Sequence, residues 1–396
     1  MYVTVIGGGN STAIFATLAK KAGHEVAILT RKPEAWSKTV GFANEDKEYL
    51  DGEENFEAEV DLITKDPAEC IPQSDLIFIA GVPIHHNPAI LKDTVAPHLN
   101  REKQVFVGSI CAYGGFNWVC ADALGKGNYI IFGTQLIPWC CGTKEYGKTG
   151  VVFGAKRMLR VATEDGKDEH GVKKILQDIL KIPDVRDTDF LASTLWPNNS
   201  SLHPPILYGL FKDWDGKTGY DKESLPVRIY AELTDESAQA LADFDDELCA
   251  IVDALKVHYP DNKHLHEDYR LRSCIIENYK DQVGDSSTLK STVKTTKAFG
   301  SHNIPYQTLE DGKIVPIIAH KFFETDLSFG VTTFIDIANM LGVEVPTMKA
   351  IARWNQKLIN KDYITDSDKI DGKDAGECIL PSAYGLDEKS LDKGRR

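Results

Sequence analysis

A short apolar run, Tyr2-Val3-Thr4-Val5-Ile6, ends in three consecutive glycines, and a helical pattern follows at once, with Ile14, Leu18 and Ala22 on one face. This strand–turn–helix order constrains the chain more than any other feature. Glycines at such a turn let the backbone bend sharply and let another group come close. Inside a βαβ unit, Gly7-Gly8-Gly9-Asn10-Ser11-Thr12 reads as a dinucleotide fingerprint. Gly7 makes the turn, Gly9 lets backbone approach a pyrophosphate, and the helix N-terminus offers N–H groups and partial positive charge. The third fingerprint position calls for Gly or Ala, and Thr12 stands there instead. Gly7, Gly8, Gly9, Asn10, Ser11 and Thr12 are the expected contacts to the cofactor.

The rest of the first half supplies the βαβ context. Strands are predicted at Glu25–Thr30, Val60–Thr64, Leu76–Ala80, Gln104–Gly108 and Tyr129–Phe132, with a polar insertion from Arg31 to about Glu57. Strands interleaved with helices imply right-handed crossovers and a parallel sheet. Weaker strands near Val151–Phe153 and Arg160–Ala162 are expected to extend it. After residue 190 the texture turns helical: Ala238, Leu241, Leu248, Val252 and Leu255 form one stripe, and Phe334, Ile337, Ala338 and Leu341 another, ended by Gly342. The expected architecture is an α/β Rossmann domain with a doubly wound parallel sheet, residues 1–190. An all-α catalytic domain, residues 191–396, follows it, with catalysis in the cleft between. The tail from Asp387 is expected to fray.

Composition removes several classes. The 396 residues carry 45 Lys+Arg against 59 Asp+Glu, a net charge of −14. Such a chain gains little from counterion release at phosphates, so neither nucleic acid nor an anionic membrane is expected as a partner. No apolar stretch reaches the length of a spanning helix, and the N-terminus shows no signal-peptide pattern. Eight scattered cysteines without a CxxC pair imply reduced thiols and a cytoplasmic protein. No metal site is expected: His264-Leu265-His266 and His85-His86 lack the context that makes ligands converge.

The end of the second strand bears on the cofactor's ribose. An acid about 20 residues past the glycines would bond the 2′-hydroxyl of NAD. The chain reads Leu29-Thr30-Arg31-Lys32 instead. Two cations there would suit the 2′-phosphate of NADP, and Thr30 would bond either form, while Arg31 stacked on adenine would serve NAD equally well. These residues alone lean slightly to NADP; NAD, as NADH, is the cofactor expected for the chain, and NADP is left open by Arg31 and Lys32. Val82 is an expected cofactor contact, and His85, which follows Val82-Pro83 after the fourth strand, is expected close to the nicotinamide ribose.

The second half names a reaction class by resemblance. Trp196-Pro197-Asn198-Asn199-Ser200-Ser201-Leu202-His203-Pro204-Pro205 resembles the catalytic region of the opine dehydrogenases, an Asn-rich stretch running into His-Pro before an apolar helix. Lys321-Phe322-Phe323-Glu324-Thr325-Asp326 resembles the family's second signature, and Leu136-Ile137-Pro138-Trp139-Cys140 its Leu-Pro-Trp turn. The resemblance spans essentially the whole chain and is strongest to the marine-invertebrate branch. It implies reversible, NAD(P)H-dependent condensation of pyruvate with an amino acid to an N-(1-carboxyethyl) amino acid, regenerating NAD in anaerobic glycolysis. It also implies His203 as acid–base and Asp326 as the carboxylate fixing its tautomer, with Asn199 and Lys321 at the substrate. Imidazole suits such proton transfer because its reference pKa lies near 6.5.

The family has arginine where this chain has Lys321, and a lysine lacks the planar fork that grips a carboxylate bidentately. Arg270 and Arg272, in the stretch lining the amino-acid side in relatives, either repel arginine and attract a sulfonate or carboxylate or simply face water. A small amino acid (taurine, alanine or glycine) is therefore expected, on a monomer or small homo-oligomer. Two rivals stand: a keto-acid or glycerol-3-phosphate-type dehydrogenase without condensation, and a non-catalytic NAD(P)-sensing protein. The first usually carries a catalytic lysine early in the helical domain, where this chain has His203. The second would have no reason to keep a His203/Asp326 pair.

Overall fold

The structure, a computed structural model, describes residues 1–393. These form two compact units: Met1–Thr194 with the described residues after Leu391, and Leu195–Leu391. The division falls at Thr194/Leu195 rather than near 190, and Asp392 and Lys393 group with the first unit.

Unit 1 begins with β1 (Tyr2–Ile6), α1 (Asn10–Lys21) and β2 (Glu25–Leu29). The stretch predicted as a polar insertion holds β3 (Thr39–Asn44) and β4 (Asn55–Glu59), and β5 (Leu62–Thr64) follows. Then come β6 (Leu76–Ile79), α2 (Asn87–Ala89) leading into a π-helical segment Ile90–Val95, β7 (Val105–Ser109), α3 (Phe116–Ala123) and β8 (Tyr129–Thr134). The hairpin β9 (Trp139–Glu145) and β10 (Thr149–Ala155) precedes β11 (Met158–Thr163), α4 (Glu169–Leu180), β12 (Asp184–Thr188) and α5 (Phe190–Leu195). The main sheet has the order β12-β11-β8-β7-β6-β1-β2-β5 and is parallel except where β11 meets β8. β6 is buried at all four positions, Leu76–Ile79, as a strand covered on both faces must be.

One strand expectation needs correction. Val151–Phe153 does not extend the main sheet; β10 pairs with β3 and β9 in a separate sheet of order β4-β3-β10-β9. Arg160–Ala162, within β11, does extend the main one. The small sheet changes the environment of α1, which packs against β1 and β2 on one side and β3, β4, β9 and β10 on another. Every residue from Ser11 to Ala19 is consequently buried. A helix enclosed all round carries small or apolar side chains on every face, and this one uses Ala13, Ala16, Thr17 and Ala19.

Strand order reverses about β1: β2 lies on one side and β6 on the other. The carboxyl ends at such a switch point frame a ligand crevice, and the glycine turn sits there.

Unit 2 is built from α6 (Asn199–Phe211), α7 (Asp235–His258), α8 (Leu271–Tyr279), α9 (Leu289–Thr295), α10 (Thr332–Leu341) and α11 (Pro346–Leu358). One short antiparallel pair, β13 (Tyr306–Thr308) with β14 (Ile314–Pro316), departs from the all-α expectation. α7 starts at Thr234, whose side chain accepts from the Ser237 amide; Asp235 and Glu236 lie in its first turn, Lys256 and His258 in its last. Both charge placements favour the helix dipole. α6 crosses α7 at Gly209, where a Cβ would lie 2.4 Å from Ser237 Cα, and Ser237 Oγ donates to the Ile206 carbonyl. Gly342, left-handed at φ 66°, ends α10.

The tail from Asp387 is packed rather than frayed. Ser390 and Leu391 are buried, the Leu391 amide donates to the Tyr259 hydroxyl, and Ser390 Oγ donates to Asp387. Residues 394–396 lie outside the described part. Among the described residues no helix is long and apolar enough to cross a membrane.

Candidate active site

The glycine turn opens onto a pocket of about 580 Å³ in unit 1. That volume lies in the range of cofactor sites. Gly7, Gly8, Gly9, Thr30, Arg31 and Val82 all line it. Asn10, Ser11 and Thr12 do not. Asn10 Oδ1 accepts from the Ser11 amide, and Ser11 Oγ lies 3.8 Å from Cys141 Sγ.

Thr12 explains its own departure from the fingerprint. Its Oγ1 donates to the Ala80 carbonyl at 2.7 Å, tying the start of α1 to the end of β6. Room for that hydroxyl comes from two glycines: a Cβ on Gly7 would lie 2.7 Å from Oγ1, and one on Gly81 2.5 Å. Gly7 is further constrained, since its Cβ would meet the Ala80 oxygen at 1.8 Å. Gly9 is the N-cap of α1 and brings no side chain to the helix end, Asn10 Oδ1 takes the Ser11 amide, and no acid stands in the first turn. The helix end is thus left for an anion.

At the other end of the pocket, Thr30 and Lys65 follow adjacent strands, with the Thr30 amide bonded to the Thr64 carbonyl at 2.9 Å. Arg31, Lys32 and Lys65 converge on the pocket, where Asp93 is the one acid among its lining residues. None of the three cations has an ion-pair partner among the described residues, although the chain is rich in acids. Lys65 escaped the sequence reading because it follows a three-residue strand. Tyr146 escaped it too: it tips the β9–β10 hairpin, lines the same pocket, and its hydroxyl lies 3.5 Å from where a Gly8 Cβ would stand. His86 rather than His85 lines the pocket, and burial followed by the nearby Arg31 lowers the proton affinity of His86. These features fit a nicotinamide dinucleotide.

Unit 2 brings together residues 123 positions apart. His203 stands in the second turn of α6, one turn after Asn199, so the two share a face. Asn198 caps the helix, its side chain accepting from the Ser200 amide at 2.8 Å. Asp326 lies at the mouth of a π-helical turn, Leu327–Val331, whose Gly330 approaches Ser200 so closely that a Cβ would lie 1.9 Å from Ser200 Oγ. That approach sets Asp326 Oδ2 at 2.7 Å from His203 Nδ1. Both side chains are about 5% exposed. Phe322 stacks on the imidazole, ring centres 3.6 Å apart, and the Tyr230 hydroxyl lies 2.7 Å from Nε2. Burial drives His203 below the ordinary histidine range; the Asp326 carboxylate pulls the other way, and Lys321 adds a further push down. His302 and His320 are held at about 4, each chiefly by burial, so both stay neutral at pH 7.

Lys321 is exposed and has no carboxylate partner among the described residues, and its charge acts on His203, His302 and His320. Arg228, unmarked by any motif, donates to the Ser301 carbonyl and acts on His302. Tyr230 was equally invisible, coming from an irregular segment between α6 and α7. The reading of Arg270 and Arg272 as attractors of a substrate anion is corrected. Arg270 pairs with Asp246 and lies 3.7 Å from Asp245, and Arg272 donates to the Ser286 carbonyl. Among the described residues no cluster of three or more His, Cys, Asp or Glu could hold a metal ion.

A dinucleotide pocket at a Rossmann switch point and a buried histidine–carboxylate pair define a nicotinamide-dependent oxidoreductase. Residues 186–359 match the alpha-helical domain of the NAD/NADP octopine/nopaline dehydrogenases. Residues 2–111 match the N-terminal region of NAD-dependent glycerol-3-phosphate dehydrogenases. The chain is 26% identical over 404 residues to an opine dehydrogenase of Haliotis discus hannai, covering 97% of this chain and 96% of its relative. It is 27% identical over 402 residues to a tauropine dehydrogenase of Arabella iricolor, covering 97% and 98%. Its fold is that of an octopine dehydrogenase solved with NADH and agmatine, at a TM-score of 0.84, 24% identity, and coverage of 100% and 98%. Residues 186–359 thus carry the octopine/nopaline dehydrogenase helical domain, and the chain is similar to opine dehydrogenases over nearly its whole length.

Proposed function

We propose that the protein condenses pyruvate with the amino group of a small amino acid and reduces the resulting imine, reversibly, to an N-(1-carboxyethyl) amino acid. The observation carrying this reading is the buried His203–Asp326 pair beside cations that lack carboxylate partners. The bound reduced nicotinamide supplies hydride to the imine carbon. Gly7, Gly8 and Gly9 would hold its pyrophosphate on the N-terminus of α1, and Thr30, Arg31, Lys32 and Lys65 its adenosine end.

The chain's own residues handle the protons and carboxylates. Asp326 accepts from His203 Nδ1, fixing the tautomer and stabilising the imidazolium whenever Nε2 carries a proton. His203 supplies a proton for loss of water during condensation and recovers one in the reverse direction. Lys321 and Arg228 hold the substrate carboxylates; Arg228 brings the planar fork that lysine lacks. Cations without a carboxylate ion pair favour substrates bringing only anionic groups over one with a guanidinium. Taurine, alanine and glycine are therefore placed ahead of arginine, and one relative is named a tauropine dehydrogenase. Eight free cysteines fit a cytoplasmic setting.

The test follows NADH and NADPH oxidation with pyruvate alone, then with pyruvate plus each of the four amines. Oxidation that requires the amine supports condensation. An equal rate with pyruvate alone sinks it, and no oxidation under any condition sinks the enzymatic reading.

A further inference from the structure

Both nitrogens of His203 are engaged: Nδ1 by Asp326 and Nε2 by the Tyr230 hydroxyl, each at 2.7 Å. Phe322 covers a ring face at 3.6 Å. Against an ionised carboxylate Nδ1 must donate, so neutral His203 keeps its lone pair on Nε2 and the Tyr230 O–H donates to it. The atom through which His203 would act is thus capped by another proton carrier. Tyr230 is itself buried, packed against Phe299 at 4.8 Å and edge-on to His302 at 5.7 Å. His302 is neutral at pH 7, held at about 4 by burial and by the nearby His203. The hydroxyl therefore belongs to a ring packed among apolar and uncharged rings.

We propose that Tyr230 relays the proton between His203 and the reacting substrate, so that Asp326, His203 and Tyr230 act as one line. The inference rests on the condensation reading above. In the forward direction the imidazolium Nε2 gives its proton to the Tyr230 oxygen while Tyr230 gives its own to the hydroxyl of the carbinolamine. The C–O bond breaks, the oxygen leaves as water, and the nitrogen lone pair forms the C=N bond. His203 ends neutral and Tyr230 ends as it began. No electrons are exchanged with any other group. The two transfers must be concerted, because a free phenolate beside imidazolium would be disfavoured by about 3.5 pH units of reference acidity.

The test is Tyr230→Phe, which keeps the ring and removes only the hydroxyl. The relay predicts a loss of roughly 10²-fold or more in kcat, with KM for pyruvate and amine changed by less than about threefold. It also predicts that the dependence of kcat on D2O fraction turns from curved, with two protons in motion, to linear. A merely structural tyrosine would not change that count. Should the variant fold poorly, 3-fluorotyrosine at position 230 makes the phenol more acidic without removing it, and kcat should shift with that acidity. A Tyr230→Phe rate within about threefold of the parent, an unchanged D2O curve, or indifference to fluorination overturns the relay. Absence of amine-dependent turnover in the parent protein sinks the condensation reading as well, so the two failures are told apart.

Discussion

Replacing Asp326 with asparagine keeps the shape of the side chain and removes its charge. Asp326 is 3% exposed and its Oδ2 lies 2.7 Å from His203 Nδ1, so little solvent screens the pair. A charge-assisted hydrogen bond of this kind contributes about 1.5–3 kcal/mol, which is about 1–2 pH units in the proton affinity of the imidazole. Burial and Lys321 both push His203 down, and Asp326 opposes them. Without the carboxylate the imidazolium population near neutral pH falls roughly 10- to 100-fold. An asparagine amide can also donate to Nδ1 and turn the ring to the wrong tautomer, removing the base form too. The combined loss in kcat should be about 10²–10⁴-fold. A kcat profile across about pH 5–9 should show the His203 limb moving to lower pH by about 1–2 units, with dinucleotide quenching of tryptophan fluorescence unchanged. An unmoved limb and a rate within about threefold of the parent would refute the electrostatic role of Asp326.

Four further outcomes follow from particular contacts. Gly81→Ala places a Cβ 2.5 Å from Thr12 Oγ1 at a φ of +71°, and should destabilise unit 1 by about 1–3 kcal/mol in denaturant melts; a silent substitution would contradict the crowding at the turn. Arg31→Ala with Lys65→Ala should weaken NADPH binding more than NADH binding and flatten its salt dependence; equal losses would mean that neither cation reaches the 2′ position. Arg228→Ala should raise the KM for a carboxylate substrate while leaving kcat within about threefold, and an unaffected KM would remove it from the site. Stability should also fall in acid. His302 is held at about 4 while the unfolded chain's histidines titrate near 6.5, so the unfolded state binds more protons between those values. The stabilisation present above about pH 6.5 is lost as the pH falls toward about 4, by up to ~1.4 kcal/mol per pH unit for this one residue. His302→Phe should flatten that slope, and an unchanged slope in calorimetry would contradict the burial.

What the sequence made legible follows from how local each signal is. The glycine turn, the alternation of strands with helices and the stripe of α7 are local patterns, and all three lie where that reasoning put them. The small sheet was not legible because its strands are partly polar and assembled from segments about a hundred residues apart: β3 finds its partner in β10. Thr12 stayed an anomaly for a similar long-range reason. The fingerprint describes position 12 alone, whereas the space for its hydroxyl is made by Gly7 and by Gly81, 69 residues away. His203 and Asp326 could be paired only through resemblance, since nothing in their spacing brings them together. Tyr230 and Arg228 come from an irregular segment with no periodicity, and only the folded chain reveals that the Tyr230 hydroxyl faces Nε2 of His203. The tail misled for the opposite reason. Its charges suggested fraying, while one buried leucine and its amide bond to Tyr259 pin it.

The central claim is that a carbon–nitrogen bond is formed and reduced, and product analysis tests it most directly. The protein is supplied with pyruvate, an equimolar mixture of taurine, alanine, glycine and arginine, and reduced dinucleotide carrying deuterium at C4, and the products are read by mass spectrometry. The account predicts an N-(1-carboxyethyl) amino acid with deuterium on the carbon that bears nitrogen, with taurine, alanine or glycine incorporated before arginine. Deuterated lactate as the sole product, with every amino acid recovered unchanged, would contradict it.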